Sequence, residues 1–524
     1  MKKTLFLNPP SFEGFDGGAG SRYQARREVR SFWYPTWLAQ PAALVPDSKL
    51  VDAPAADLAL DAVLAQAKDF ELCFLHTSTP SFRADVKTAE ALKDSNPQLS
   101  IGFVGPHVAV LPDQALEASK AIDFVTRLEF DLTCKEVAEG RPFETIDGLS
   151  YRAANGAVLH TRERALTDME ALPWVVDVYR RDLRIEDYEI GEALYPFVSF
   201  YAGRGCRSRC TFCLWPYTVG GHTYRVRSPR NVVGEVKRAT EYFPQIREVF
   251  FDDDTLTDAR PWVEHLARGL GEVLMPKGMT WSTNAKVNVP FETLKVLKDN
   301  GLRLFTVGFE TGSQDILNNI KKGMKIEWAR TFAENCHALG IKMHGTFIVG
   351  LPGETKQTLR ETIQFVKEID PHTIQVALPA ALPGTYLYDQ AKAEGWLRDE
   401  SGDLVGANGF QVTSLEYPHL SHRDIFEMQE QLYRAFFFRP GKIAEIMWEM
   451  VKSPTVMRRR LREGVEFFQF LRERKNHPAS AAAGERSARR GRASAPAGEP
   501  AAGDRRPPGG AYSPRDTQPG PPPG

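Results

Sequence analysis

Gly203-Arg-Gly-Cys206-Arg-Ser-Arg-Cys210-Thr-Phe-Cys213 places three of the chain's six cysteines within eight residues, in a C-x3-C-x2-C spacing. Thiolates are the usual ligands of iron–sulfur clusters, and a compact loop carrying three of them grips one cubane. Three ligands for four irons leave one iron without a protein partner. Two other uses of the triplet stay open on spacing alone. A zinc site can recruit His222 as a fourth ligand, and an electron-transfer cluster can draw on a distant thiol. Cys73, Cys134 and Cys336 share no motif with the loop.

Around the loop, strand and helix patterns alternate regularly. Strands are expected at Val198–Tyr201, Glu248–Phe251, Met279–Thr283, Arg303–Val307, Lys342–Val349 and Thr373–Leu378. Helical segments lie between them at Arg230–Tyr242, Pro261–Glu272, Phe291–Asn300, Ile326–Leu339 and Thr358–Ile369. Ser228-Pro229 suits a helix start, and Gly301 and Gly340 sit where helices should stop. Six such repeats, over residues 196–410, make a partial (β/α)6 barrel. Barrel sites lie at the carboxyl ends of the strands, and the cysteine loop follows the first strand at that end. The other strand ends are polar: Asp252-Asp253-Asp254-Thr255, Asn284-Ala285-Lys286, Gly308 to Ser313 through Glu310, and His344 to Glu354 through Ile348 and Gly350. One such end is an ordinary solvated loop or helix cap; four on the cluster face of one barrel suggest a site.

Upstream, residues 1–145 carry short apolar runs at Thr4–Leu7, Phe70–His76, Ser100–Val104 and Ile122–Val125. Helical patterns at Asp57–Ala67 and Asp85–Ser95 intervene, which argues for a Rossmann-like parallel sheet. Residues 146–195 read as a connector with a hairpin at Asn155-Gly156. Downstream, residues 411–475 read as a helical segment opened by a capping box at Ser421 and Asp424. Ile443, Ile446, Met447, Met450 and Val451 form one apolar stripe, and Met457, Leu461, Val465, Phe468 and Leu471 form another between arginines. Packing of these stripes on the barrel is the plain expectation. A basic, aromatic-bearing amphipathic helix also suits an anionic membrane surface, so peripheral contact is a second one. Residues 476–524 are Ala, Gly, Pro, Ser and Arg with almost no large apolar side chains, the composition of a disordered tail.

The 524 residues are 42% hydrophobic and 25% charged, with a formal net charge of −1. That balance fits a globular protein and gives no electrostatic reason for a nucleic-acid partner. Six unevenly spaced cysteines are no disulfide framework. The first ten residues lack a signal-peptide pattern, and no apolar run approaches the ~20 residues of a membrane span. A reduced, cytoplasmic enzyme is expected, with any membrane contact peripheral and at the inner face.

C-x3-C-x2-C with an aromatic before the last cysteine resembles the signature of the radical S-adenosylmethionine (SAM) superfamily, over roughly residues 195–385. The resemblance implies that Cys206, Cys210 and Cys213 hold a [4Fe–4S] cluster whose fourth iron chelates SAM. Reduction, by a partner such as flavodoxin or ferredoxin, would yield a 5′-deoxyadenosyl radical that abstracts hydrogen from an unactivated carbon. Within that family the second-strand end orients the methionine amino group, which implies Asp252, Asp253 and Asp254. The common Gly-Gly-Glu is absent there. The same carry-over points to Glu310 for the ribose and to Ile348 and Gly350 against adenine.

Asn8-Pro9-Pro10, Gly105-Pro106-His107 and Asp123-Phe-Val-Thr-Arg-Leu-Glu129 resemble the cobalamin-binding domain that precedes many such enzymes. Cobalamin is thereby implied as a third cofactor, although no Asp-x-His-x-x-Gly offers an axial histidine. Cys210-Thr-Phe-Cys213-Leu-Trp-Pro216, Phe250-Phe-Asp-Asp-Asp-Thr255, the run from His344 to Thr355 and Pro371-His-Thr-Ile-Gln-Val376 closely resemble a radical SAM family of hopanoid biosynthesis. That likeness implies a hopanoid lipid substrate: bacteriohopanetetrol glucosamine, contracted at its sugar ring to the cyclitol ether. A cobalamin-dependent methyltransferase, an oxidative cyclase acting on a tetrapyrrole and a non-enzymatic cluster carrier are the competing expectations.

Overall fold

The computed structural model describes residues 1–10, 31–398, 404, 411–452 and 454–476. The tail expected to be disordered lies, from residue 477 on, outside the described residues. Two sheets organise the rest. The first has seven strands: β1 (Thr4–Asn8), β2 (Ser48–Asp52), β3 (Leu72–His76), β4 (Ser100–Val104), β5 (Phe124–Thr126), β6 (Leu149–Arg152) and β7 (Val158–His160). They lie in the order β2-β1-β3-β4-β5-β6-β7. The first five are parallel, and the β6–β7 hairpin adds antiparallel to β5. The Asn155-Gly156 hairpin therefore extends the amino-terminal sheet rather than forming part of a free connector.

The second sheet contains β8 (Phe197–Phe200), β11 (Glu248–Phe251), β12 (Thr280–Ala285), β13 (Leu302–Glu310), β14 (Lys342–Ile348) and β15 (Thr373–Ala377). Between β8 and β11 comes a small antiparallel pair, β9 (Gly203–Arg204) with β10 (Arg225–Val226). All six strands of the second sheet are parallel, in the order β15-β14-β13-β12-β11-β8, an open barrel wall. Local chemistry explains the punctuation. Ser228 Oγ accepts the Asn231 N–H at 3.2 Å to cap the helix Pro229–Tyr242, and Gly340 ends the helix Ile326–Leu339 at φ +64°.

The amino-terminal sheet and the barrel share one apolar core, which runs from Phe6 and Tyr34 through Phe197 to Phe250 and Trp281. Tyr34 stacks on Tyr188 at 4.1 Å and donates its hydroxyl to the Phe197 carbonyl at 2.7 Å. Trp37 lies parallel to Trp215 at 5.2 Å and beneath the Arg204 guanidinium at 4.7 Å. Arg204 grips Asp131 through both terminal nitrogens, at 2.5 and 3.1 Å, and both side chains are almost completely buried. Glu129, beside them, takes Arg225 at 2.5 Å.

The three carboxyl-terminal helices divide sharply. The first, His422–Phe437, opens with the expected capping box and buries Ile425, Met428, Leu432 and Phe436. The second (Pro440–Lys452) and third (Pro454–Asn476) do the reverse of what their stripes suggest. Met447, Val451, Leu461 and Val465 are exposed. Expected packing of these stripes on the barrel is thus corrected, because Glu449 pairs with Lys342 of β14 and Arg459 with the carbonyls of Gly191 and Ala193, which turns the polar faces inward.

Arg204→Met leaves the buried Asp131 carboxylate uncompensated. A loss of about 3–5 kcal/mol in urea unfolding is expected, and an unchanged midpoint would show that the pair does not join the two sheets.

Candidate active site

The cysteine loop is held at both ends before any metal enters. Asp253, fully buried at the end of β11, accepts the N–H groups of Ala202 at 2.9 Å and Gly203 at 2.5 Å and the Tyr224 hydroxyl at 2.8 Å. Burial pushes its carboxyl up to about 7 against the pull of those three donors. Asp253 therefore sets where the loop leaves the barrel. Gly205, at φ +97°, admits no side chain: a Cβ would lie 2.3 Å from the Thr223 carbonyl oxygen. Cys206 N–H donates to Gly221 O at 3.2 Å, Thr211 N–H to Ile320 O at 3.0 Å, and Leu387 N–H to Thr211 O at 2.9 Å.

Of the three thiols, Cys210 is buried and Cys206 and Cys213 are partly exposed. Burial, with Glu310 and Cys206 nearby, holds the Cys210 thiol above its ordinary range, and Lys322 and Lys286 offset only part of that rise. Lys322 is itself held above the ordinary lysine range by Glu310, Cys210 and Cys213, despite its burial. The Lys322–Glu310 ion pair is 2.5 Å long, and the Lys286–Asp258 pair 2.6 Å. The two lysines lower the cost of the Cys210 thiolate that metal ligation requires without removing it. Cys73, Cys134 and Cys336 are fully buried in the cores with thiols pushed up by burial, and supply no fourth ligand. His222 meets Tyr217 edge-on at 4.7 Å. Among the described residues no group of three or more His, Cys, Asp or Glu has the spacing of a single-ion site, so the zinc arrangement with His222 is not assembled. A cubane spreads its thiolates over separate irons, and the donor set of three thiols beside two cations fits it.

The other expected residues come to the same rim with different engagements. Asp252 is half-buried, accepts the Tyr201 hydroxyl at 3.2 Å and the Asn284 amide at 3.3 Å, and keeps an accessible side chain. Asp254, also half-buried, has Oδ2 about 4 Å (3.8 Å) from the Cβ position of Gly220 on the returning loop. Glu310 sits at φ +63° on a break in the β13–β14 register. Ile348, half-buried, ends β14 opposite Ala377. The backbone of Gly350 is already engaged: its N–H donates to Glu354, its carbonyl accepts the Tyr417 hydroxyl at 2.9 Å, and a Cβ would meet Ile425 at 2.6 Å. His344 is hydrogen-bonded to Thr373 at 2.8 Å. Sequence reasoning missed Lys322 and Tyr224. Both act across the fold, and no local spacing marks them.

A second polar cluster lies at the carboxyl ends of β1, β3 and β4. Asn8 donates to Asp52 at 2.8 Å, and Tyr188 donates to the same carboxyl at 2.9 Å. His76 and His107 flank this edge, and burial pushes both imidazoles down to about 4, so both are neutral. His107 Nδ1 pairs with Thr79 at 3.2 Å; its buried Nε2 has no hydrogen-bond partner among the described residues.

Gly205→Ala closes off the loop conformation, and Lys322→Met removes the nearer cation. Each is expected to lower iron and sulfide bound per chain several-fold after anaerobic reconstitution, with Lys322→Arg keeping most of it. Full loading of Gly205→Ala would contradict the loop geometry.

Comparison with known proteins now bears on this geometry. Residues 200–366 match the model of the radical SAM superfamily. The chain is 28% identical over 465 residues to an uncharacterized methyltransferase of Pyrococcus horikoshii, covering 86% of this chain and 95% of that protein. It is 24% identical over 469 residues to the anaerobic magnesium-protoporphyrin IX monomethyl ester cyclase of Rubrivivax gelatinosus, covering 83% and 77%. Among solved structures, the cobalamin-dependent SAM radical enzyme OxsB, with aqua-cobalamin and SAM bound, aligns with a TM-score of 0.64 at 13% identity over 89% of this chain and 72% of that one. The radical SAM methyltransferase TsrM of Kitasatospora setae, with cobalamin and a [4Fe–4S] cluster bound, aligns at 0.62 and 13% over 84% and 90%. The three-thiol loop at the mouth of an open parallel barrel is accordingly the centre of a radical SAM domain, and the chain is a radical SAM enzyme that uses a [4Fe–4S] cluster and S-adenosylmethionine.

Proposed function

We propose that the chain is a cobalamin-dependent radical SAM enzyme whose reaction is methyl transfer to an unactivated carbon. The observation that carries this reading is the pairing of the two sites in one fold. A parallel sheet with polar carboxyl ends is fused through a common core to the barrel that bears the cysteine loop. The full-length likeness to a methyltransferase and to two cobalamin-binding folds supports it. Bound together, the cluster and SAM supply a strongly oxidising carbon radical, and cobalamin supplies a transferable methyl group.

The chain's own residues provide the setting. Lys322 and Lys286 offset part of the burial cost of ionising Cys210, and Asp253 fixes the loop. Asp252 and Asp254 are the carboxylates assigned to the methionine amino group, Glu310 to the ribose, and Ile348 to the adenine face. Gly350 takes a supporting role, shaping the strand end rather than offering its engaged backbone. At the other site, the unpartnered Nε2 of His107 and the glycine turn at Gly105 suit a large planar cofactor laid over the strand ends. Flavodoxin or ferredoxin is the class of electron donor such an enzyme needs.

A second reading rests on the motif runs from Cys210 to Pro216 and from His344 to Thr355. It makes the substrate bacteriohopanetetrol glucosamine and the product its cyclitol ether, formed by radical-initiated ring contraction. The likeness to the Rubrivivax cyclase supports keeping a reaction other than methyl transfer in view.

The test is anaerobic reconstitution with cobalamin, followed by reductant, SAM and the candidate lipid. S-adenosylhomocysteine formed alongside 5′-deoxyadenosine, with a product heavier by a methylene, is the expected result. Cyclitol ether with 5′-deoxyadenosine and no S-adenosylhomocysteine would transfer the assignment to ring contraction.

A further inference from the structure

The second and third carboxyl-terminal helices are amphipathic with their faces inverted. Met447, Trp448, Val451, Leu461, Val465 and Phe468 are each between 54% and 76% exposed, far more than helical apolar residues packed on a barrel. The spacing of three and four residues within each helix gathers them into ridges. Phe438 and Phe468 meet at 6.4 Å and join the two helices at one end.

The charged side chains are turned the other way. Glu449 pairs with Lys342 at 2.8 Å and Arg460 at 3.3 Å, and Glu445 with Lys442 at 2.6 Å. Glu463 takes Arg459 and Arg460 at 2.7 and 3.0 Å, and Glu466 takes Arg462 at 3.6 Å. Arg459 donates to the carbonyls of Ala193 and Gly191, and Arg462 to Glu189. Ion pairs thus pin the polar faces to the body of the protein, and each described acid on these helices is neutralised.

Three cations on these helices have no ion pair among the described residues. Lys452 lies 4.9 Å over the Trp448 ring, and Arg458 and Arg472 are exposed. An apolar ridge carrying Trp and Phe, bordered by unpaired cations and free of unpaired acids, has the chemistry of a helix that lies in the headgroup region of an anionic bilayer. No described helix is long and apolar enough to cross a membrane, so the ridge would rest on the surface. At 1.5 Å per residue the third helix, of 23 residues, offers a contact about 35 Å long.

We propose that this helix pair docks the enzyme on an anionic lipid bilayer through the Met447–Val451 and Leu461–Phe468 ridges. This is independent of which reaction the barrel performs.

Co-sedimentation of the full chain with vesicles tests it. Vesicles of phosphatidylcholine with phosphatidylglycerol should capture the protein at least about tenfold more strongly than phosphatidylcholine alone, and high salt should release it. The double variant Leu461→Glu/Val465→Glu should lose capture. Lys452→Glu/Arg458→Glu, at exposed positions outside the core, should fall to the level seen on neutral vesicles. Absence of capture, or capture equal for all three proteins, would overturn the proposal. A dimer in solution that Leu461→Glu/Val465→Glu dissociates, with no vesicle binding, would also overturn it and give the face to a second copy of the chain.

Discussion

A single buried carboxylate sets the geometry on which everything else rests. Asp253 gathers two backbone N–H groups from the start of the cysteine loop and one hydroxyl from its far side, through Tyr224. A loop carrying three thiols has many conformations. Tying both of its flanks to one strand end removes most of them before the metal arrives, so less ordering entropy is left for cluster assembly to offset. The glycine at 205 is the complementary constraint, since only a residue without a side chain lets the loop fold back against Thr223.

Electrostatics then act on a fixed framework. Lys322 stands between Glu310 and the thiols, a cation that two different anions compete to stabilise. It offsets part of the desolvation that opposes ionisation of the buried Cys210, and metal binding has to supply the rest. Arg204, at the start of the same stretch, is buried against Asp131 of the amino-terminal part of the chain. The segment that carries the thiols therefore also carries the connection to the second candidate cofactor site.

Much of this was legible in the residues. Hydrophobic alternation placed all six barrel strands within a few residues of their observed ends, and the thiol spacing identified the loop. What escaped had physical causes. The strand Ser48–Asp52 has only two apolar residues in five and pairs beside β1, so no run announces it. The hairpin at Asn155-Gly156 was visible, but its pairing with β5 is a long-range choice that local turn chemistry does not encode. Periodicity showed that the last helices are amphipathic without showing which face packs; the answer lay in Lys342, Glu189 and the carbonyls of Gly191 and Ala193, far away in sequence. Lys322 was hidden for the same reason. Asp252 to Asp254 looked alike in sequence, and the fold separated them, burying one as a structural anchor and leaving two at the rim.

In the proposed reading Cys206, Cys210 and Cys213 alone hold a cubane whose remaining iron is free to take SAM. Mössbauer spectra of the chain reconstituted with iron-57, recorded before and after SAM is added, test it most directly. One iron site in four should change its isomer shift on addition, the other three staying as they were. Four sites that ignore SAM would mean a fourth protein ligand and contradict the account.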